Sequence, residues 1–345
     1  MNLEQSNYTR LASSLGEQRI WHWRGWRIRY THVLSPSVRL NNPQPDNSQP
    51  DNPQLDNSQP DSSQPDNSQL KPTAAAPFLL LHGAGASLEQ WRENLVELAR
   101  DRPVYALDLV GFGGSEKIAN TVNTTLWSQQ VADFWQTFLR QPMILAGHSL
   151  GALVALQTAT TYPEQVDRLI MLTLPAARQE LGGLASRVGA VVEGWFASPL
   201  LIRPLFYLIR QPWLIRLALQ AIAQDPHKVD SNLVDGFIRP TQDRGAARMF
   251  CYLVRSRTSD DFSPQTKELI SQVQMPALLL WGKSDRVIPI DWGRYVNTLN
   301  EQLSLVEIEN AGHFFYDELA LEFHEIVEQW LICSVLPEQT SPKSA

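Results

Sequence analysis

The chain has 345 residues, 43% of them hydrophobic, and a formal net charge of −7, enough for two average domains or one large α/β domain with an insertion. Five aspartates and no basic residue in 41–70 account for most of that charge and leave about −2 elsewhere, so nucleic-acid binding, which needs basic surface against phosphates, has no electrostatic support. Cys251 and Cys333 are the only cysteines and have no metal or redox spacing, which fits a reducing, cytoplasmic compartment; the N-terminus shows neither a secretory nor a transit pattern, and no run of about 18 uncharged apolar residues predicts a transmembrane helix.

Residues 1–19 read as a tail. The run IWHWRGWRIRYTHV over 20–33 is β-rich and broken by Gly25, with Trp26, Ile28 and Tyr30 alternating beyond it, which predicts an antiparallel hairpin. Composition then changes abruptly. Six pentapeptides, NNPQP, DNSQP, DNPQL, DNSQP, DSSQP and DNSQL, fill 41–70. A period of five matches neither helix nor strand, proline removes backbone donors, and little apolar surface offsets chain entropy, so 35–76 is expected to be a disordered insertion.

From Pro77 onward short apolar runs alternate with helical patterns. Strands are expected at 78–81, 104–109, 143–146, 169–172, 277–281 and 303–308, and helices at 88–100, 125–139, 150–161, 292–299 and 319–332. Unbroken runs such as FLLL and ALLLW belong to a sheet covered on both faces. The predicted architecture is α/β: a mostly parallel sheet of about eight strands with an antiparallel start, built from 20–34, 77–174 and 275–335, with a tail over 336–345. About 100 residues, 175–274, interrupt the alternation after the sixth strand and read as a helical cap. Within it, WFASPLLIRPLFYLIRQPWLIRLALQAIA carries Arg203, Arg210 and Arg216 six or seven positions apart, near one face of a helix. Such a stripe packs on a core or forms a lid over a lipid-like substrate, with peripheral membrane contact.

Gly147-His148-Ser149-Leu150-Gly151 is the chemically informative pentapeptide. A Gly-x-Ser-x-Gly match alone has on the order of 0.1 chance occurrences in a chain of this length. Here it follows the apolar strand MILA and leads into the helical ALVALQTA, the strand-turn-helix setting of a nucleophile elbow, whose glycines relieve collisions at a sharp turn. A serine hydroxyl needs a base, and the base needs an orienting carboxylate. His313, in IENAGHFFYDE before a terminal helix, and Asp285, in WGKSDRVIP just past a strand, supply them in the chain order Ser, Asp, His. Glu309 and Asp317 lie nearer His313 in sequence and are the competing carboxylates. Oxyanion donors are expected from the backbone N–H of Leu150 and, in the His82-Gly83-Ala84-Gly85 loop, of Ala84. His82, His148 and Asp108 read as loop-fixing residues and His324 as surface or packing. Gly111, Gly113 and Gly114 lack the Lys-Ser or Lys-Thr of a phosphate loop. No metal or cofactor is required.

On these motifs the chain resembles the α/β-hydrolase superfamily over about 20–335, the pentapeptide tract excepted. LLLHGAGASLEQWRENLVEL, YALDLVGFGGSEK, AGHSLGALVAL, LLLWGKSDRVIP and ENAGHFFYDE look like cyanobacterial and chloroplast members related to pheophytinase and chlorophyll dephytylase. That resemblance implies a small apolar ester as substrate, a phytyl ester of a chlorophyll pigment, with the cap sheltering the phytyl chain. Haloalkane dehalogenases and epoxide hydrolases of this fold use an Asp nucleophile where this chain has Ser149. Perhydrolases and carbon–carbon bond hydrolases keep the same three residues, and a receptor that binds without turnover is the alternative of a different class. Oligomeric state is left open.

Overall fold

The computed structural model describes residues 15–34, 75–180, 199–257 and 259–334; the pentapeptide tract and the tail over 336–345 lie outside them. The hairpin forms from β1 (Glu17–Trp23) and β2 (Trp26–Val33), so the first strand starts inside the stretch expected as a tail. Its turn is Arg24-Gly25, both with positive φ (51° and 82°), the backbone that a two-residue hairpin turn requires and that glycine tolerates best.

The sheet continues through β3 (Phe78–Leu81), β4 (Val104–Leu107), β5 (Met143–His148), β6 (Val166–Leu172), β7 (Ala277–Gly282) and β8 (Leu303–Ile308). The eight strands lie in the order β1-β2-β4-β3-β5-β6-β7-β8. β2 pairs antiparallel with β4, and every pair from β4 to β8 is parallel. Every residue of FLLL and ALLLWG is buried, because alternate side chains serve two cores: Leu79, Leu81, Leu279 and Trp281 face one side, Phe78, Leu80, Leu278 and Leu280 the other. β4 stops at Leu107, short of the expected 109: the N–H groups of Leu109 and Val110 go to His82 Nε2 and Gln130 Oε1 instead of a neighbouring strand.

The helices are α1 (Leu95–Leu98), α2 (Thr124–Phe134, continued by a π turn to Leu139), α3 (Leu150–Thr161), α4 (Pro199–Ile209), α5 (Pro212–Ile222), α6 (Ser231–Gln242), α7 (Ala246–Arg257), α8 (Thr266–Ser271), α9 (Ile290–Asn297), α10 (Phe315–Glu318) and α11 (Ala320–Cys333). α3 is apolar all round and its residues from Leu150 to Ala159 are all buried, as a helix without a polar face must be. α4 to α8 occupy the interval between β6 and β7, and the described residues include no helix long and apolar enough to cross a membrane.

Two helical expectations are corrected. The segment 88–100 is a 3-10 turn, Leu88–Trp91, followed by the short α1. Its polar groups are drawn to distant partners: Leu88 N–H donates to Asp108 Oδ1 at 2.7 Å, Arg92 pairs with Asp317 at 2.7 Å, and buried Asn94 meets His324 at 2.9 Å. Tertiary bonds override local propensity there. The three arginines of the apolar run do not share a helix face: Arg203 is on α4, Arg210 just beyond it and Arg216 on α5, because the chain breaks at Gln211 and restarts with Pro212 at the first helical position.

Three buried histidines couple this fold to pH. Desolvation, the largest cause at each, holds His82 and His324 below the ordinary imidazole value of 6.5 and His148 well below it. The unfolded chain therefore takes up these protons first, so their contribution to stability is complete above pH 6.5 and is lost as the pH falls. Asp317 opposes them, since burial pushes its carboxyl up to about 6 against the pull of Arg92; below that pH the folded state takes up its proton first. Denaturant unfolding is expected to show stability falling between about pH 6.5 and 5, with a slope of at most about 4 kcal/mol per pH unit, three protons' worth, lessened below pH 6. His324→Gln should remove one proton from that slope; an unchanged slope would contradict the assignment.

Candidate active site

β5 runs directly into α3 with Ser149 as the single residue between them. Ser149 has φ 52° and ψ −115°, a backbone state that costs a non-glycine residue on the order of 1–3 kcal/mol and needs the surroundings to impose it. They do. Ser149 N–H donates to Leu172 O of β6 at 2.9 Å, and Ser149 O accepts from Ala152 N and Leu153 N at 2.9 and 3.2 Å. The flanking glycines are sterically required: a Cβ on Gly147 would lie 2.2 Å from Gly151 O, and one on Gly151 would lie 2.5 Å from Leu81 O and 2.6 Å from His82 O. The first turn of α3 thus presses against the end of β3, and Ser149 is left half-buried at the crossing.

Asp285 follows β7. Its Oδ1 accepts from Val287 N and Ile288 N at 2.7 and 2.9 Å, and its Oδ2 accepts from His313 Nδ1 at 2.8 Å. Both side chains are buried. With Nδ1 donating to the carboxylate, Nε2 is the His313 ring nitrogen turned away from Asp285. Glu309 is bonded to Lys283 at 2.5 Å and Asp317 to Arg92 at 2.7 Å, so among the described residues Asp285 is the carboxylate joined to His313. Backbone contacts bring the two loops together: Ser284 N–H donates to Ala311 O at 2.9 Å, and a Cβ on Gly282 would lie 2.4 Å from that same oxygen.

His148 joins this loop to the turn that bears Ser149. Its Nε2 donates to His313 O at 3.1 Å and its ring lies 4.5 Å from the His313 ring. Burial, reinforced by the neighbouring His313, holds it well below the usual imidazole range, so it stays neutral beside His313.

The loop after β3 is equally constrained. His82 Nδ1 donates to Gly83 O at 2.8 Å while Nε2 accepts from Leu109 N at 3.1 Å, and Gly83 N–H is taken by Gln90 Oε1 at 2.9 Å. Asp108 accepts from Leu88 N and Gly114 N, both at 2.7 Å, and from Arg29 Nε at 2.5 Å; Arg29 also forks onto Glu89. A Cβ on Gly113 would sit 2.2 Å from that carboxylate, so this glycine makes room for Asp108. Within this framework Ala84 is exposed and Leu150 opens α3. Among the described residues neither N–H has a protein acceptor, as the first turn of a helix requires for Leu150.

Glu318 was not singled out by sequence, and nothing local marks it. Its carboxylate accepts from Gln224 N and Asp225 N at 3.1 and 2.9 Å, Arg286 reaches Ala221 O at 3.3 Å, and a Cβ on Gly312 would meet Gln224 N at 3.0 Å. The C-terminal end of α5 is therefore tied beside the His313 loop.

A sheet of this order, an elbow serine at the end of β5 and a carboxylate–histidine pair after β7 and β8 define an α/β-hydrolase fold. Residues 78–326 match the Alpha/beta hydrolase family, and the chain belongs to that family. It is 26% identical over 270 residues to 2-hydroxymuconate semialdehyde hydrolase of Pseudomonas sp. (strain CF600), covering 75% of this chain and 87% of that one. It is 24% identical over 242 residues to the pimeloyl-[acyl-carrier protein] methyl ester esterase of Aliivibrio fischeri, covering 68% and 85%. The crystal structure of a bacterial membrane phospholipase A superposes with a TM-score of 0.71 at 20% identity, over 97% of this chain and 92% of that one, which shows the shared fold.

Because both motif glycines face backbone oxygens, Gly151→Val should unfold the protein or strip its thermal stability, whereas Gly85→Ala, with nothing within 4 Å of its Cβ position, should cost only the strain of a positive φ, about 1 kcal/mol. Thermal melts of the two variants test this; equal melting temperatures would contradict it.

Proposed function

We propose that the protein is a serine-dependent carboxylic ester hydrolase acting on an apolar small-molecule ester, of which a phytyl ester of a chlorophyll pigment is the specific candidate. The observation that carries the reading is the 2.8 Å bond between His313 Nδ1 and Asp285 Oδ2, in a loop bonded through His148 to the turn that bears Ser149. In this mechanism His313 Nε2 takes the Ser149 proton as Oγ attacks the ester carbonyl. The N–H groups of Leu150 and Ala84 stabilise the oxyanion. The C–O bond to the alcohol breaks as His313 returns the proton, leaving an acyl-enzyme. Water, deprotonated by His313, then releases the acid and restores Ser149. Asp285 stabilises the imidazolium at each step.

The helices between β6 and β7 act in this reading as a cap. The apolar content of α4 and α5, and the anchoring of α5 beside His313, support an apolar substrate. Two relatives at similar distance bear names with different substrates, a semialdehyde and a methyl ester, so their names do not select the bond. The semialdehyde hydrolase supports a second reading, in which the same residues cleave a non-ester substrate.

A fluorophosphonate probe is expected to label the wild type and not Ser149→Ala; equal labelling would remove Ser149 from the mechanism. Asp285→Asn, which reverses the His313 tautomer preference, should lower kcat by on the order of 10³–10⁴-fold with thermal stability retained. A chain-length series of esters that includes a phytyl ester should show turnover rising with chain length. A preference for short chains alone ends the phytyl reading. Ligand binding with no turnover on any ester favours a receptor, and turnover of the semialdehyde alone favours the second reading.

A further inference from the structure

The helices between β6 and β7 carry a surface that ester chemistry does not use. Eleven large hydrophobic side chains are exposed among the described residues, and five of them, Leu205, Tyr207, Leu208, Trp213 and Leu217, fall within 205–217, across the α4–α5 turn. Trp213 is 62% exposed. Single exposed apolar residues are ordinary, but a cluster is not. The inward faces of the same helices are already packed: Phe206 lies 5.3 Å from Phe250 of α7, and Leu219 is buried in the core. These two helices are apolar on both sides; on the outer side Arg210 stacks over the Tyr207 ring at 4.3 Å, while Leu208, Trp213 and Leu217 stand exposed.

The charge is equally uneven. In a chain of net charge −7, residues 199–222 hold three arginines and no acidic residue, and the adjoining α7 adds three more, Arg248, Arg255 and Arg257, again with no acidic residue. Among the described residues Arg210 and Arg216 are bonded to the neutral carbonyls of Thr241 and Val229 at 3.3 and 2.8 Å and to no carboxylate.

We infer that the α4–α5 turn is a docking surface for an anionic lipid bilayer. Trp213, Tyr207 and Leu208 enter the interface, and the arginines face lipid phosphates, their stems lying along the apolar surface. The position of α5 gives this contact a use. Its first turn carries Trp213, and its last, about 16 Å away, lies against Gly312, so an apolar ester leaving the bilayer follows one helix to the His313 loop. That use rests on the ester hydrolase reading; the contact itself does not.

The test is co-sedimentation of the full chain with vesicles of phosphatidylcholine alone and of phosphatidylcholine with phosphatidylglycerol, alongside turnover of a short soluble ester. The wild type and Ser149→Ala should both bind the anionic vesicles and bind neutral ones weakly, with binding falling as salt is raised. Arg203→Gln should lower binding roughly fivefold. Trp213→Asp with Leu217→Asp should lower it more than tenfold, with turnover of the soluble ester unchanged. Absence of wild-type binding to anionic vesicles, or equal binding by the double variant, overturns the inference, as does a wild-type dimer that the double variant dissolves without any vesicle binding. Vesicle binding by a wild type that hydrolyses no ester would leave this contact standing and sink the esterase reading.

Discussion

Around Ser149, two backbone-to-backbone contacts leave no room for a β-carbon. Gly147 faces the carbonyl of Gly151, and Gly151 faces the carbonyls of Leu81 and His82. Those contacts force α3 to begin against the end of β3, which holds Ser149 at a positive φ of 52°. Any larger side chain would separate strand from helix, and the serine would relax to an ordinary helical N-terminus. The cost of the strained residue is met by burying α3 from Leu150 to Ala159 within this layer.

Everything else at the site is referred to that turn. His313 comes 164 residues after Ser149, yet His148, its immediate neighbour, grips the His313 carbonyl while Asp285 grips the ring. The two histidine rings lie 4.5 Å apart, so a second positive charge would oppose an imidazolium on His313. Desolvation of His148 removes that competitor. The same burial that gives His148 a positioning role makes it an acid liability for the fold, so the arrangement of the site and part of the pH dependence of stability have a common cause.

Of the helices between β6 and β7, α5 is the one tied beside His313, by its C-terminal end. Glu318, Arg286 and the missing side chain of Gly312 fasten the end of α5 to the loop that carries His313. The opposite end of α5, with Trp213, stands at the surface. One helix is therefore anchored beside His313 at one end and exposed at the other.

Local sterics and periodicity were readable without coordinates. The pattern FLLL, buried on both faces, the Arg24-Gly25 turn between alternating strands, and the glycines around Ser149 each follow from interactions within a few residues, so the strands, the hairpin and the elbow could be placed. Choosing Asp285 over Glu309 and Asp317 already needed strand order, because Glu309 and Asp317 lie far nearer His313 along the chain. What the tertiary structure alone decided are bonds between distant segments. Asn94 and Arg92 abandon a helix for partners on 317–324, Gln211-Pro212 divides an apolar run that periodicity joined, and Glu318 finds backbone donors more than 90 residues away. A carboxylate, an amide or a buried imidazole accepts whatever donor packing brings to it. Its type fixes the kind of bond, while the identity of its partner is settled only when the core closes.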